Sequence, residues 1–198
     1  MLKSENLHFL FIPVDKNIEC FNVYDSDPYN DIFYAMSHGV NRAKLKKGKI
    51  DTRSSFLNNL IKKLNNVSHD FYGLNNKEPI WGESFFQALK NSKMGLNLSR
   101  GNPTKYYSSN RIATLMGNGL LTFIDVKTQF DDIFSKNEII LYNNLNELAD
   151  KIHFYKKNNS LRKKIAKKGQ SKYFKLFNET RISKYIVDKS FGKNTSLF

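Results

Sequence analysis

At 198 residues the chain is long enough for one well-cored domain and too short for two full nucleotide-binding domains joined by a linker. Hydrophobic residues at 40%, aromatics at 14% and only four prolines describe a folded globule and exclude an intrinsically disordered chain. The formal charge of +14 is uneven: residues 151–198 carry fourteen Lys/Arg against Glu179 and Asp188, so the remainder is near balance and a uniform nucleic-acid-binding surface is disfavoured.

In chain order, "LHFLFIPV" (7–14) reads as a short buried strand ended by Pro13, and "DKNIECFNVYDSDPYN" as an ordered linker. "DIFYAMSH" (31–38) is an apolar run of strand length closed by Gly39. A basic loop, "GVNRAKLKKGKIDTR", leads into a helix with Phe56, Leu57, Leu60, Ile61 and Leu64 at helical spacing. "HDFYG" (69–73) is the next strand, "NNKEPIWG" a loop, "ESFFQALKNS" (83–92) a helix and "MGLNLS" (94–99) a third strand. The loop "RGNPTKYYSS", a helix over 109–117, a strand "LLTFID" (120–125), a loop or short helix to 136 and "EIILY" (138–142) continue the alternation. Such alternation implies parallel pairing through right-handed crossovers, hence an α/β, Rossmann-like doubly wound parallel sheet. From 144 the pattern is helix only, in three pieces, with Asn144 and Ser160 as N-caps. The organisation read from this is an N-terminal strand and linker (1–30), a Rossmann-like domain (31–143) and basic C-terminal helices packed on the same domain (144–198).

Cys20 has no second cysteine to pair with, and neither an apolar run long enough to span a bilayer nor a secretory leader is present. The reading is a reduced, cytoplasmic protein. The four histidines, His8, His38, His69 and His153, show no ligand spacing, so neither a metal nor another cofactor is expected.

Ligands of open parallel sheets bind outside the carboxyl ends of the strands, which selects segments 38–53, 73–82, 99–111 and 125–132. The third is the richest. It places Asn97, Ser99, Arg100, Gly101, Lys105, Tyr107, Ser108, Asn110 and Arg111 between a strand end and a helix start. Backbone N–H groups at that helix start, with Arg111, form a pocket for a phosphate or carboxylate; a polar loop with Ser109 as a plain N-cap reads equally well. There is no G-x-G-x-x-G after the strand at 31–38 and no P-loop signature, which disfavours a dinucleotide cofactor. His38 and Trp81 stand at strand and helix ends, where Trp81 either stacks on a base or sugar or packs on the sheet. Asp125, Asp131 and Asp132 suit sugar hydroxyls or turn capping. Tyr173, Phe174, Phe177 and Tyr185 read as core.

Taken together, "FIPVD", "DIFYAMSHG", "FYG", "LNLSRG", "SSNRIATLMGNGLLTFID", "EIILYNNLNELADKI" and "LRKKIAKKGQSKYF" resemble, in order and over roughly residues 8–190, the C-terminal, donor-binding half of GT-B glycosyltransferases. The similarity is greatest to the CgeB/YkvP-like group, with its R-x-x-E-x-x-x-x-G pattern. The resemblance implies a nucleotide-sugar donor, with its diphosphate near helix N-termini and its sugar facing an N-terminal acceptor domain or partner chain. Arg111 and Gly119 match the pattern. Thr114 stands where the family has glutamate, and Tyr106 stands where the earlier acid of an E-x(7)-E pair falls. Arg42 to Lys47-Gly48 is similar to the R-x(4)-K-G stretch that contacts donor phosphates, where cationic charge would neutralise the departing diphosphate; a solvated basic loop is the alternative.

The expectation is therefore the donor half of a hexosyltransferase-type enzyme, incomplete without an acceptor domain and acting on an unknown acceptor. Its donor-binding residues are Arg42, Lys47, Asn97, Ser99, Arg100, Tyr107, Ser108, Asn110 and Arg111, and its catalytic residues are unassigned. The missing acids motivate a second reading, a non-catalytic nucleotide- or sugar-binding module. The basic tail motivates a third, peripheral docking of 151–198 on an anionic membrane or RNA.

Overall fold

The computed structural model describes residues 10–36 and 52–197. Its centre is a five-stranded, all-parallel sheet of order β2-β1-β3-β4-β5. The strands are β1 (Asn30–Ala35), β2 (His69–Tyr72), β3 (Ser92–Asn97), β4 (Leu121–Asp125) and β5 (Ile140–Tyr142). Between them run α1 (Arg53–Ile61), α2 (Gly82–Lys90) and α3 (Asn110–Gly117), and after β5 come α4 (Leu145–Lys157), α5 (Asn159–Phe177) and α6 (Glu179–Ser190).

Strand alternation sorts the core into two layers. Ile32 and Tyr34 of β1, Met94 and Leu96 of β3 and Leu121 and Phe123 of β4 share one cluster with Leu57 and Leu60 of α1 and Leu148 and Ile152 of α4. On the other face Phe33 packs with Leu89 of α2 and Leu115 of α3, while Ile124 packs with Ile112 and Met116 of α3 and with Tyr173 and Phe177 of α5. Helices on both faces make the sheet doubly wound, as the alternation predicts. Gly95 lies where a Cβ would come within 2.4 Å of the Leu115 side chain, so this glycine lets α3 lie close on β3.

The end of α3 shows how sequence sets direction. Leu120 N–H reaches back to Leu115 O at 3.0 Å and Gly119 N–H to Met116 O at 3.1 Å, the paired bonds of a Schellman stop. They require the left-handed backbone that Gly119 adopts at φ 79°. Asn144 caps α4 as expected, its side chain accepting from Glu147 N–H. Ser160 does not cap α5: that helix begins at Asn159, whose Oδ1 is taken by Arg162 at 2.7 and 2.9 Å.

The expected strand at 7–14 is corrected. Among the described residues of this segment, Val14 alone makes a ladder contact, an isolated parallel bridge to Asn178. Pro13 has no N–H to donate, and side chains satisfy the neighbouring backbone: Ile12 N–H donates to Ser108 Oγ and Ile12 O accepts from the Tyr173 hydroxyl. Phe11 stacks on Phe177 at 4.1 Å. The linker contributes one short 3-10 turn, Val23–Asp25, and two more follow β4, at Val126–Thr128 and Phe130–Asp132.

α5 starts at the amino-terminal edge of the sheet and crosses its face, so that Tyr173 and Phe177 in its last turns pack on Phe134 after β4. Arg162, fully buried, donates to Lys93 O at the start of β3; Gln170 donates to Gly117 O; and Gly169 lies against Glu138 O just before β5. Buried Asp31 at the start of β1 is paired there with Lys93 at 3.0 Å and Lys156 at 2.7 Å. Among the described residues, no helix is long and apolar enough to cross a membrane.

Candidate functional site

The strand order reverses between β1 and β3, so the chain leaves these neighbours toward opposite faces and a crevice opens beyond their carboxyl ends. α1, which follows β1, packs on one face and α3, which follows β3, on the other. Arg111, the second residue of α3, bridges this crevice. Its Nη1 donates to Leu98 O at 3.0 Å, its Nη2 to Ala35 O at 3.4 Å, and its guanidinium lies 4.8 Å from the centre of the Tyr34 ring. Two carbonyls and an aromatic face hold it in place, while N–H donors remain to meet a ligand. Arg111 makes no ion pair among the described residues.

Beside it stands Asn97, the last residue of β3 and only 2% exposed. Its Oδ1 accepts from Ser109 Oγ at 3.4 Å, and its Nδ2 has no partner among the described residues. An amide N–H left buried and unpaired is costly, so a ligand atom in the crevice would relieve it. Ser109 bonds Asn97 instead of capping α3, which leaves the first N–H groups of the helix without a side-chain cap. Ser99 is also buried.

Two participants were not among the residues singled out by sequence. Ser109 was read only as a cap. Arg53, 7% exposed, sits in the first turn of α1 and donates to the Tyr34 hydroxyl at 3.4 Å, so one tyrosine carries a guanidinium at its face and another at its hydroxyl. The signal for Arg53 was its place at the end of a basic loop opening a helix, where it was one cation among many.

The remaining candidates lie apart. Arg100 and Asn110 are exposed, and Tyr107 is half-buried on the same loop. Ser108 is turned toward the N-terminal segment, accepting from Ile12 N–H. Arg42, Lys47 and His38 lie outside the described residues. Trp81 is 65% exposed before α2, so it does not pack on the sheet. Asp125 caps the turn after β4 through Lys127 N–H.

At position 106 the backbone takes φ 53°. The Tyr106 hydroxyl donates to Asp132 at 2.6 Å, and Lys105 pairs with the same carboxylate at 3.0 Å. The Tyr106 hydrogen bond, then that of Lys105, hold the Asp132 carboxyl below its ordinary range. The turn after β4 thus sets the exposed Asp132 carboxylate against the tip of the Tyr106 side chain. Thr114 stays half-buried on α3. A concavity of about 930 Å³, lined by Asp15, Glu19, Asn22, Gln170 and Phe174 among others, lies beside α5.

Solved structures share this fold at low identity. The structure of HepE from Anabaena in complex with UDP-glucose superposes with a TM-score of 0.68 at 11% identity, over 96% of this chain and 58% of that one. Sucrose-phosphate synthase from Thermosynechococcus elongatus gives 0.59 at 12% identity, over 92% and 49%. TarM gives 0.59 at 14%, over 92% and 37%. The chain thus spans between about a third and three fifths of these proteins' lengths. No curated protein matches the sequence. Residues 53–187, from the first turn of α1 into α6, match the family described as glycosyl transferase-like, and the chain belongs to that family.

Proposed function

We propose that this chain is the donor-binding half of a GT-B glycosyltransferase, most similar to the CgeB/YkvP-like group, holding a nucleoside-diphosphate sugar in the crevice between β1 and β3. The observation that carries the reading is the pairing, at the switch point of a parallel sheet, of Arg111 with the unpartnered amide of Asn97. In this arrangement the guanidinium and the open N-terminus of α3 meet the diphosphate. Asn97 donates to an oxygen of the phosphate or sugar. Arg42 and Lys47 would add charge from the loop after β1, and Ser99, Arg100, Tyr107 and Asn110 would line the approach. Charge fixed beside the bond to the diphosphate stabilises the leaving group as it departs, without proton transfer from this half. HepE, of the same fold, is seen with UDP-glucose, which supports a uridine diphosphate sugar as the first donor to try. The acceptor, and the groups that activate it, belong to a further domain or partner chain.

The test is thermal unfolding with UDP, GDP and UDP-glucose. A nucleoside diphosphate raises Tm, by an amount that follows its concentration over Kd, and Arg111→Lys and Arg111→Ala each abolish the rise measured against their own baseline. Absence of any rise with all three ligands overturns the reading. Tyr106 and Thr114 at the positions where acids are expected favour a second reading, a binding module without turnover. Donor hydrolysis or sugar transfer by the purified chain, alone or with an acceptor domain, would exclude it.

A further inference from the structure

We infer that the outer face of α5, with the turn joining it to α4, is a docking surface for an anionic lipid bilayer. This surface is independent of the crevice. α5 contains no carboxylate in its 19 residues. Its inner side, Ile165, Ala166, Gly169, Tyr173 and Phe177, is buried against the domain, while Lys164, Lys167, Lys168 and Lys175 are exposed along the outer side. That stripe extends about 16 Å at the rise of an α-helix, and exposed Lys157 continues it at the end of α4.

Lys77, Lys93, Lys105, Lys151, Lys156, Lys172, Lys184 and Lys193 each pair with a carboxylate. The five lysines of the stripe make no ion pair among the described residues. Lysines without an ion pair also occur elsewhere among the described residues, at Lys16, Lys62, Lys63, Lys90, Lys127, Lys136, Lys163 and Lys189; what marks the stripe is four of them on one helix face. The nearest acids along the chain, Asp150 and Glu179, are both exposed; at the far end of the stripe Lys175 borders the concavity that Asp15, Glu19 and Glu179 also line, so the uninterrupted charge is that of Lys157, Lys164, Lys167 and Lys168.

A second observation distinguishes a bilayer from a nucleic acid. Phe154 is 50% and Leu161 39% exposed, on either side of the α4–α5 turn and one helical turn from Lys157 and Lys164. Apolar side chains set among lysines suit the boundary between headgroups and acyl chains. The single arginine of α5, Arg162, is fully buried, so the outer face offers no guanidinium plane for bidentate phosphate contact or base stacking.

The experiment is sedimentation of the full chain with phosphatidylcholine vesicles, with and without phosphatidylserine, beside binding to single-stranded RNA. Association requires phosphatidylserine and is lost as salt rises to about 0.5 M. Replacing Lys164, Lys167, Lys168 and Lys175 together by glutamine weakens it at least about a hundredfold, since each lysine near an anionic surface is worth roughly a fivefold factor. Phe154→Ser with Leu161→Ser weakens vesicle binding about tenfold. The Tm of both variants serves as the control for folding. Failure to bind phosphatidylserine vesicles at low salt overturns the inference. RNA binding tighter than vesicle binding and unaffected by Phe154→Ser with Leu161→Ser also overturns it.

Discussion

Asn97 is the residue at which stability and binding part company. Its buried Nδ2 has no partner among the described residues, so removing it takes away an unsatisfied donor as well as a weak bond to Ser109. Asn97→Ala is expected to change the unfolding free energy without ligand by less than about 1 kcal/mol while cancelling the rise in Tm with nucleotide; chemical denaturation and thermal shift on one preparation check both halves. Gly119 is the opposite case. Its φ of 79° and the Tyr24 ring carbon 2.6 Å from an added Cβ leave no room for alanine, and Gly119→Ala should cost about 2 kcal/mol or more in urea denaturation. Position 106 shows what one sequence conceals. Tyr106 stands in the place of an expected acid, and its hydroxyl bonds Asp132 from a separate turn, a meeting that spacing along the chain does not encode.

At the scale of elements, the sheet was legible because each strand is a short apolar run with a glycine or polar breaker behind it. HDFYG became β2 and LLTFID became β4, each within one residue, and the described part of the run at 31–38 became β1, which begins one residue earlier and ends at Ala35. The segment 7–14 carried the same apolar signal, yet its described residues, 10–14, make a single bridge, because burial of Phe11 and Val14 against α5 and α6 gives the same pattern as a strand. Burial leaves a trace in sequence; the partner that causes it does not. Capping follows the same logic: Asn144 takes the N–H of Glu147, and Asn144→Ala should cost about 1 kcal/mol. A larger effect is expected where α5 meets the loop before β5. A Cβ on Gly169 would fall 2.1 Å from Glu138 O, so Gly169→Ala must push α5 outward and should cost about 3 kcal/mol, seen as a lowered urea midpoint with an unchanged m-value. In the candidate site, Arg111 was legible as a cation opening a helix. Its carbonyl partners, Leu98 and Ala35, were not, since they join two strands through space.

At the scale of the whole molecule, a few acids held by lysines shape the response to pH. Hydrogen bonds from Lys151 and then from Asn143 hold the Glu147 carboxyl at about 2. Burial of Asp31 and Glu138 opposes ionisation, but hydrogen bonds from Lys156 and Lys93, and from Ser135 and Lys172, outweigh it and hold both below their ordinary values. Each group is more acidic folded than unfolded, so the unfolded chain takes up protons first as pH falls. Their contribution is complete above about pH 5 and is lost as pH drops through 4.5 toward about 2. Tm should therefore fall steeply below about pH 4.5 and follow the protonation of these acids. Asp31→Asn, which leaves Lys93 and Lys156 facing a neutral amide, should remove about 2 kcal/mol at neutral pH and flatten that acid limb.

The bridge between Val14 and Asn178 ties the two ends of the described chain together, and the neighbouring bond from Tyr173 to Ile12 spans 161 residues. A contact of such sequence separation is the last that a folding chain can close, because nearly the whole sheet must stand before its halves are within reach. Its release leaves every rung of the five-stranded ladder in place, at the cost of exposing Phe11 and Val14. Amide exchange should register this as an early opening at Val14 and Glu179, whose N–H groups bond Phe177 O and Val14 O, well ahead of the amides of β3.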